Sequence, residues 1–401
     1  MKILKFGITM LFVVGTGWIG WKGYIYFFDR TQIEAVLSGL ETQGCYAGDI
    51  PCVIAGEHPY KVKTVSIFLD GKPLIYNYAV GKSSFEYPFT LQTKPLINGK
   101  HMLRVKVIGS SFHKNEKEWE VPFTVDNISL QAAFVKPNTE NRVFQGKTLH
   151  IQFQTNKPLV SATAKIFARS FYCYPEAPDS LIYETFIPIE TEEKPNEYML
   201  NIECVDQTKN TLTLETKLQV IPYPFKKVVL HVDPKKMDEE REMSEGNDGL
   251  SEKLEKFTAD SPHKKLWNGS FCVPTEVSTV FTEFGTLRVT QEKGMYAHKG
   301  VDIGKLPKGV VWAPQDGIVV IKERYTYSGN TVVIDHGWGL LSLYFHLDSM
   351  PANISVGKFV KKGNPIGTVG KTGYANGYHL HWEMRINNTP VDPLEWTKPG
   401  F

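Results

Sequence analysis

His298-Lys-Gly-Val-Asp302 and His379-Leu-His-Trp-Glu383, with His346 in Tyr344-Phe-His-Leu347 between them, decide how this chain is read. In an extended strand, residues two apart point to the same side. His379 and His381 would therefore share a face with Glu383, while Leu380 and Trp382 turn to the other. His298 and Asp302 are four apart, which also sets both side chains on one face, and the intervening Gly300 favours strand or loop over helix. Together these residues can supply a metal cage and its catalytic helpers. Taken singly, a His-x-His is an ordinary polar sheet face and a His-x-x-x-Asp is a chance spacing.

Two neutral imidazoles and one carboxylate form a nitrogen/oxygen set that suits zinc, and three protein ligands leave the fourth tetrahedral position open. An open position marks a catalytic site, where zinc activates a water near neutral pH and polarises a carbonyl oxygen. Amide hydrolysis is the natural use.

From about Trp267 onward, further short motifs surround these residues. They are Phe284-Gly285, Val310-Val-Trp-Ala-Pro314, Asp316-Gly317, Gly329-Asn-Thr-Val-Val-Ile-Asp-His-Gly337, Val356-Gly357, Lys361-Lys-Gly363 and Gly370-Lys-Thr-Gly373. In this order, and with the histidine motifs, the last third of the chain resembles the LytM/lysostaphin-type zinc metallopeptidases, a family of peptidoglycan endopeptidases. The resemblance implies that His298, Asp302 and His381 are ligands of Zn2+. It also implies that His346 and His379 orient and deprotonate the attacking water and stabilise the developing oxyanion. Some members of the family have lost ligands and activate other wall hydrolases, whereas this chain keeps all five positions. The substrate implied is the peptide stems or cross-bridges of bacterial peptidoglycan.

Neighbouring residues receive plainer readings. His336, followed by Gly337 and Gly339, reads as a turn residue between two strands. Glu383 reads equally as a hydrogen-bond partner of a ligand imidazole or as a solvated residue. Tyr296 and Arg288 read as surface packing, with a substrate groove as the other role open to them.

Export is expected from the N-terminus. Lys2 and Lys5 precede an apolar run from Phe6 to Trp21, and Tyr24 to Phe28 form a second apolar patch after Lys22. As a helix the run would span about 24 Å, short of a hydrocarbon core of about 30 Å, but a snorkelling Lys22 would extend it. An uncleaved anchor is favoured over a cleaved signal peptide, whose best cleavage site would be Gly15-Thr-Gly17. Either way the rest of the chain is sent out, to the periplasm or cell envelope, anchored at the inner membrane or, after cleavage, secreted. The five cysteines agree with export, and their proximity in sequence suggests Cys45 with Cys52, Cys173 with Cys204, and an unpaired Cys272, against a reading in which all are reduced. A charge balance of 45 basic and 43 acidic residues leaves no footprint for nucleic acid.

The expected fold is mostly β. Residues 1–30 form the signal or membrane helix. Residues 49–127 read as a sandwich resembling bacterial immunoglobulin-like domains, on Val65-Ser-Ile-Phe-Leu69 with Asp70-Gly71, Asn98-Gly99 before His101-Met-Leu-Arg-Val-Lys-Val107, and Pro122-Phe-Thr-Val-Asp126. Residues 128–222 read as a second sandwich, on Leu149-His-Ile-Gln-Phe153, Tyr198-Met-Leu-Asn-Ile202 and the run Thr211 to Leu218. Residues 223–266 read as a charged linker and 267–401 as an antiparallel-β metallopeptidase. The modules serve as spacers or as adaptors for a protein partner. The expected function is zinc-dependent hydrolysis of peptidoglycan cross-links, and its rival is an autoinhibited or regulatory wall-binding protein.

Overall fold

The computed structural model describes residues 18–28, 30–135, 141–229, 249–276, 279–290, 294–304 and 306–400. Most of the run from Phe6 to Trp21 lies outside them, as do residues 230–248 of the linker. Residues 18–28 form a helix. Among the described residues no helix is long and apolar enough to cross a membrane. The chain divides into two compact units, one of residues Met1–Leu130 with Asp206–Asn210, the other of Gln131–Val205 with Thr211–Phe401.

The first unit is a sandwich. A three-stranded sheet (Glu34–Ser38, Ile50–Glu57, Ser84–Leu91) faces a five-stranded one (Cys45–Tyr46, Glu116–Val125, Gly99–Gly109, Val62–Leu69, Lys72–Ala79). Alternate residues from both sheets, such as Ile54 with Val65, Ile67, Leu103 and Val105, build one core. Asp70-Gly71 makes the tight hairpin its sequence predicts, with φ of 50° and 78°. The first strand begins at Glu34, ahead of the expected start at residue 49.

In the second unit another pair of sheets stands before the C-terminal domain. Five strands, in the order Asn141–Phe144, Thr211–Ile221, Glu197–Asp206, Leu159–Ile166, Arg169–Tyr172, lie beside four, Tyr174–Pro175, Ile182–Pro188, Thr148–Thr155, Ala132–Phe134. This pair is fused to the domain that follows. Phe186 shares a core with Trp267, Trp338 and Trp396. Lys147 pairs with Asp392, Lys265 with Glu184 at 2.8 Å, and the Thr148 N–H donates to Glu395 at 2.9 Å.

The C-terminal domain is built on one antiparallel sheet. Its strands are β1 (Val280–Thr282), β2 (Val301–Ile303), β3 (Gly317–Tyr325), β4 (Gly329–Asp335), β5 (Leu340–Leu347), β6 (Phe359–Val360), β7 (Leu380–Ile386) and β8 (Thr389–Val391). They run in the order β1-β2-β7-β5-β4-β3-β6, with β8 on β7. Every residue of β5 is buried, because both faces of the sheet are covered. Leu340, Tyr344, Leu380, Trp382 and Met384 face the main core. Leu341, Leu343 and Phe345 face a second cluster closed by Leu254. Sliding β7 by one residue would drive His381 and Glu383 into the main core, so burial on the Trp382 face fixes the register.

Both flanks of the segment read as a linker are structured. Lys227–Val229 pairs in parallel with Leu287–Thr290. The helix α1 (Leu250–Ala259) starts at Gly249, whose φ of 74° suits glycine, and presses Leu254 onto the sheet.

The cysteine pairing inferred from sequence proximity is corrected. Cys52, Cys173, Cys204 and Cys272 are free thiols, so neither expected bridge forms. Cys45 pairs with Thr124 in one sheet of the first sandwich, whereas Cys52 pairs with Phe89 in the other. Burial pushes the Cys173 thiol up to about 12 and Cys204 to about 11.

Candidate metal centre

Asp302 on β2 and His381 on β7 are direct cross-strand partners. His298 stands in the loop before β2, and Gly300 lets that loop close onto β7. A Cβ at residue 300 would lie 2.4 Å from the Trp382 carbonyl oxygen and 3.0 Å from His381 Nε2. Three atoms thereby converge: His298 Nε2 is 3.1 Å from Asp302 Oδ1 and 3.1 Å from His381 Nδ1, and Asp302 Oδ1 is 2.8 Å from His381 Nδ1. All three residues are buried, and this group could hold a metal ion.

The other two histidines named from the sequence border the same spot. His379 Nε2 is 3.8 Å from Asp302 Oδ1. The ring of His346 lies 4.9 Å from that of His379 and 6.2 Å from that of His381. His346 reaches there by a backbone irregularity. Its φ is 60°, in the left-handed region, where the pairing of β4 with β5 shifts register between Asn330 and Val332. A bulge of this kind re-aims a side chain that strict alternation would send elsewhere.

Each of the four imidazoles is held through one nitrogen. His298 Nδ1–H donates to the Glu283 carbonyl at 3.2 Å, His346 Nδ1–H to Thr372 at 2.8 Å and His379 Nδ1–H to Gly377 at 2.9 Å. His381 does the reverse, giving Nε2–H to Glu383 at 3.0 Å. In the neutral rings these bonds leave His298 Nε2 and His381 Nδ1, the two nitrogens at the convergence point, with lone pairs to offer. This tautomer control is what a metal-ligating histidine needs.

Two residues read plainly from sequence turn out to support the centre. Glu383 is buried between His381 and Arg385, whose Nη2 is 2.6 Å away. Burial opposes its ionisation, but Arg385 and His381 hold its carboxyl down at about 2. Arg288 donates from Nη2 to Asp302 Oδ2 at 3.1 Å, leaving Oδ1 for the histidines. His336 follows β4 directly and is a buried core histidine, its Nδ1 bonded to the Asp316 carbonyl and its Nε2 to Ser342, each at 2.7 Å. Burial lowers it to about 4.

The electrostatics favour a cation at the convergence point. Burial opposes the charge on Asp302, yet the His298 and His381 rings against Oδ1 hold its carboxyl well below the usual range. Burial likewise lowers His381, but Asp302 and Glu383 outweigh it and hold the ring up at about 9. The extra proton sits where a cation would. Ligands at about 2.0–2.1 Å from a tetrahedral zinc lie about 3.3 Å from one another, so this donor set needs only a slight opening to receive one. His346 is depressed to about 3, by burial first and then by the His381 and His379 charges, so its ring is neutral at physiological pH.

An antiparallel sheet that brings two imidazoles and a carboxylate together, with two more imidazoles beside them, defines a metallopeptidase domain of the LytM/lysostaphin type. Residues 296–393 match Peptidase family M23, and the C-terminal domain of the chain belongs to it. The chain is similar to peptidoglycan DD-endopeptidase ShyB of Vibrio cholerae serotype O1, 34% identical over 102 residues, which are 25% of this chain and 24% of that protein. It is similar also to DD-carboxypeptidase/endopeptidase Mpg of Neisseria meningitidis serogroup B, 41% identical over 103 residues, 25% of this chain and 23% of the relative. Matches thus span about a quarter of the length of these curated relatives. Among solved structures, a putative peptidase M23 from Pseudomonas aeruginosa aligns with a TM-score of 0.46 and 22% identity, over 63% of this chain and 94% of that one.

Proposed function

We propose that this chain is a zinc-dependent endopeptidase that hydrolyses peptide cross-links of bacterial peptidoglycan. The observation that carries the reading is the set of four tethered imidazoles around Asp302 Oδ1. His298, Asp302 and His381 would hold the ion. Zinc, when bound, supplies a Lewis acid that activates water and polarises the scissile carbonyl.

The rest is done by the chain's own groups. Neutral His346 accepts a proton from the attacking water, because its Nδ1 is already committed to Thr372 and Nε2 is the basic nitrogen. His379, its Nδ1–H held by the Gly377 carbonyl, has Nε2 3.8 Å from Asp302 Oδ1 at the edge of the same spot, and as an imidazolium it would donate Nε2–H to the substrate oxygen as negative charge develops there. Glu383 and Arg288 fix the ring of His381 and the second oxygen of Asp302. No nucleophilic side chain is required, so no covalent intermediate forms.

The relative named as a peptidoglycan DD-endopeptidase supports the substrate class. The lysines and apolar run ahead of residue 18 support export and anchoring at the inner membrane, with the catalytic unit in the periplasm or envelope. The sandwich modules, which we read as immunoglobulin-like, would serve as spacers or as adaptors for a protein partner. Incubating the full chain with purified peptidoglycan and measuring dimeric against monomeric muropeptides tests the function. Cross-links should fall, stop falling on chelation and resume on adding zinc. Unchanged cross-linking with zinc present would refute it.

A further inference from the structure

The helix at residues 18–28 exposes Trp18, Trp21, Tyr24, Phe27 and Phe28. At about 100° per residue these rings share one half of the helix surface, opposite Tyr26, which faces the sandwich and packs on Tyr60. Lys22 lies over the rings of Trp18 and Trp21, at 5.6 and 5.9 Å from their centroids. Amphipathic rings with a long basic side chain are the composition of a membrane–water boundary. The apolar run that starts at Phe6 leads directly into this helix.

Within the same unit the helix is tied to one end of the first sandwich. The Phe112 N–H donates to the Tyr26 carbonyl at 2.8 Å, and the Asn115 side chain donates to the Thr31 carbonyl at 2.8 Å. Tyr26 packs on Tyr60 with centroids 5.7 Å apart. At this end Phe112 projects from the loop after strand Gly99–Gly109, 61% exposed, its ring 5.8 Å from that of Phe27. Exposed Lys61, Lys82 and Lys114 stand on the loops of the same end. The other end of strand Gly99–Gly109 also shows an apolar side chain, Ile97, 84% exposed. There, however, the neighbours are the His101–Asp70 pair and not a helix of aromatic residues.

We propose that this end of the first sandwich rests on a lipid bilayer. Phe112 inserts at the boundary between headgroups and acyl chains, beside Phe27 and Phe28, and the three lysines face anionic headgroups. The chemistry is that of interfacial anchors, in which apolar insertion and basic charge act together. The proposal rests on the membrane attachment proposed above and adds a second contact, which orients the module as well as tethering it.

The test uses the full chain with a photoreactive benzoyl-phenylalanine at position 112 or, in a second sample, at 97. Each is reconstituted in vesicles of phosphatidylethanolamine and phosphatidylglycerol and illuminated. The expected result is a lipid-sized mass increase at 112 and none at 97. Co-sedimentation with the vesicles but no lipid adduct at 112, or an adduct there to a second protein chain, would overturn the proposal and leave the anchor standing. Failure to co-sediment at all would overturn both.

Discussion

Asp302 Oδ1 lies 2.8 Å from His381 Nδ1 across two antiparallel strands, while Arg288 holds the other carboxylate oxygen at 3.1 Å. One oxygen is anchored and the other is aimed, which is the arrangement that lets a single aspartate serve as a one-oxygen ligand. The outer contacts of this centre are as testable as the centre itself.

Glu383 acts through His381. Replacing it as Glu383→Gln keeps the shape but weakens the hold on the His381 Nε2–H, and such outer partners typically carry about ten- to a hundred-fold in metal affinity. Zinc affinity measured against a competing chelator should fall by that order, and turnover should recover at saturating zinc. An unchanged affinity would show that Glu383 is only packing.

His346 and His379 lie beside the converging atoms but outside them. His346→Ala and His379→Ala should therefore keep near-stoichiometric zinc while turnover on peptidoglycan falls by about a hundred- to ten-thousand-fold. Loss of zinc from His379→Ala with retention in His381→Ala would reverse the two roles on this stretch.

The join between the second module and the catalytic domain should be sensitive to pH. Burial raises Glu395 from 4.5 to about 7, against the opposing Thr148 N–H and Lys147. A carboxyl whose folded pKa exceeds its unfolded one binds more protons when folded, so its share of stability is present below the unfolded value and is lost as pH rises through about 7. At about 1.4 kcal/mol per pH unit the loss is at most about 3 kcal/mol. Urea unfolding at about pH 5 and about pH 8 should show a larger drop for the natural protein than for Glu395→Gln. Equal drops would remove Glu395 as the cause.

If the apolar N-terminal run anchors the chain, the protein should stay in the membrane fraction after a high-salt wash, since salt screens charge contacts and spares apolar burial. A soluble mature protein beginning after about Gly17 would indicate a cleaved signal peptide.

The histidine strand was legible because a period of two fixes which side chains share a face. His381 and Glu383 do share one, with Leu380 and Trp382 on the other. What alternation does not encode is how deep a face is buried, and so Glu383 read equally as solvated. Arg288 was harder still, because it reaches Asp302 from a separate three-stranded sheet whose third strand, Lys227–Val229, is distant in sequence. His346 was legible by motif, but its approach depends on a positive φ at a bulge, which periodicity does not reveal. The cysteines failed for the converse reason. Seven residues of separation place Cys45 and Cys52 on opposite sheets of a sandwich, where closeness in sequence is not closeness in space.

Zinc content and hydrolysis measured on the same samples of the natural protein and Asp302→Ala decide whether the His298–Asp302–His381 centre is a catalytic zinc site. The expected result is about one zinc per chain with cross-link cleavage in the first, and little zinc with almost no cleavage in the second. Full zinc occupancy in Asp302→Ala, by elemental analysis, would contradict it.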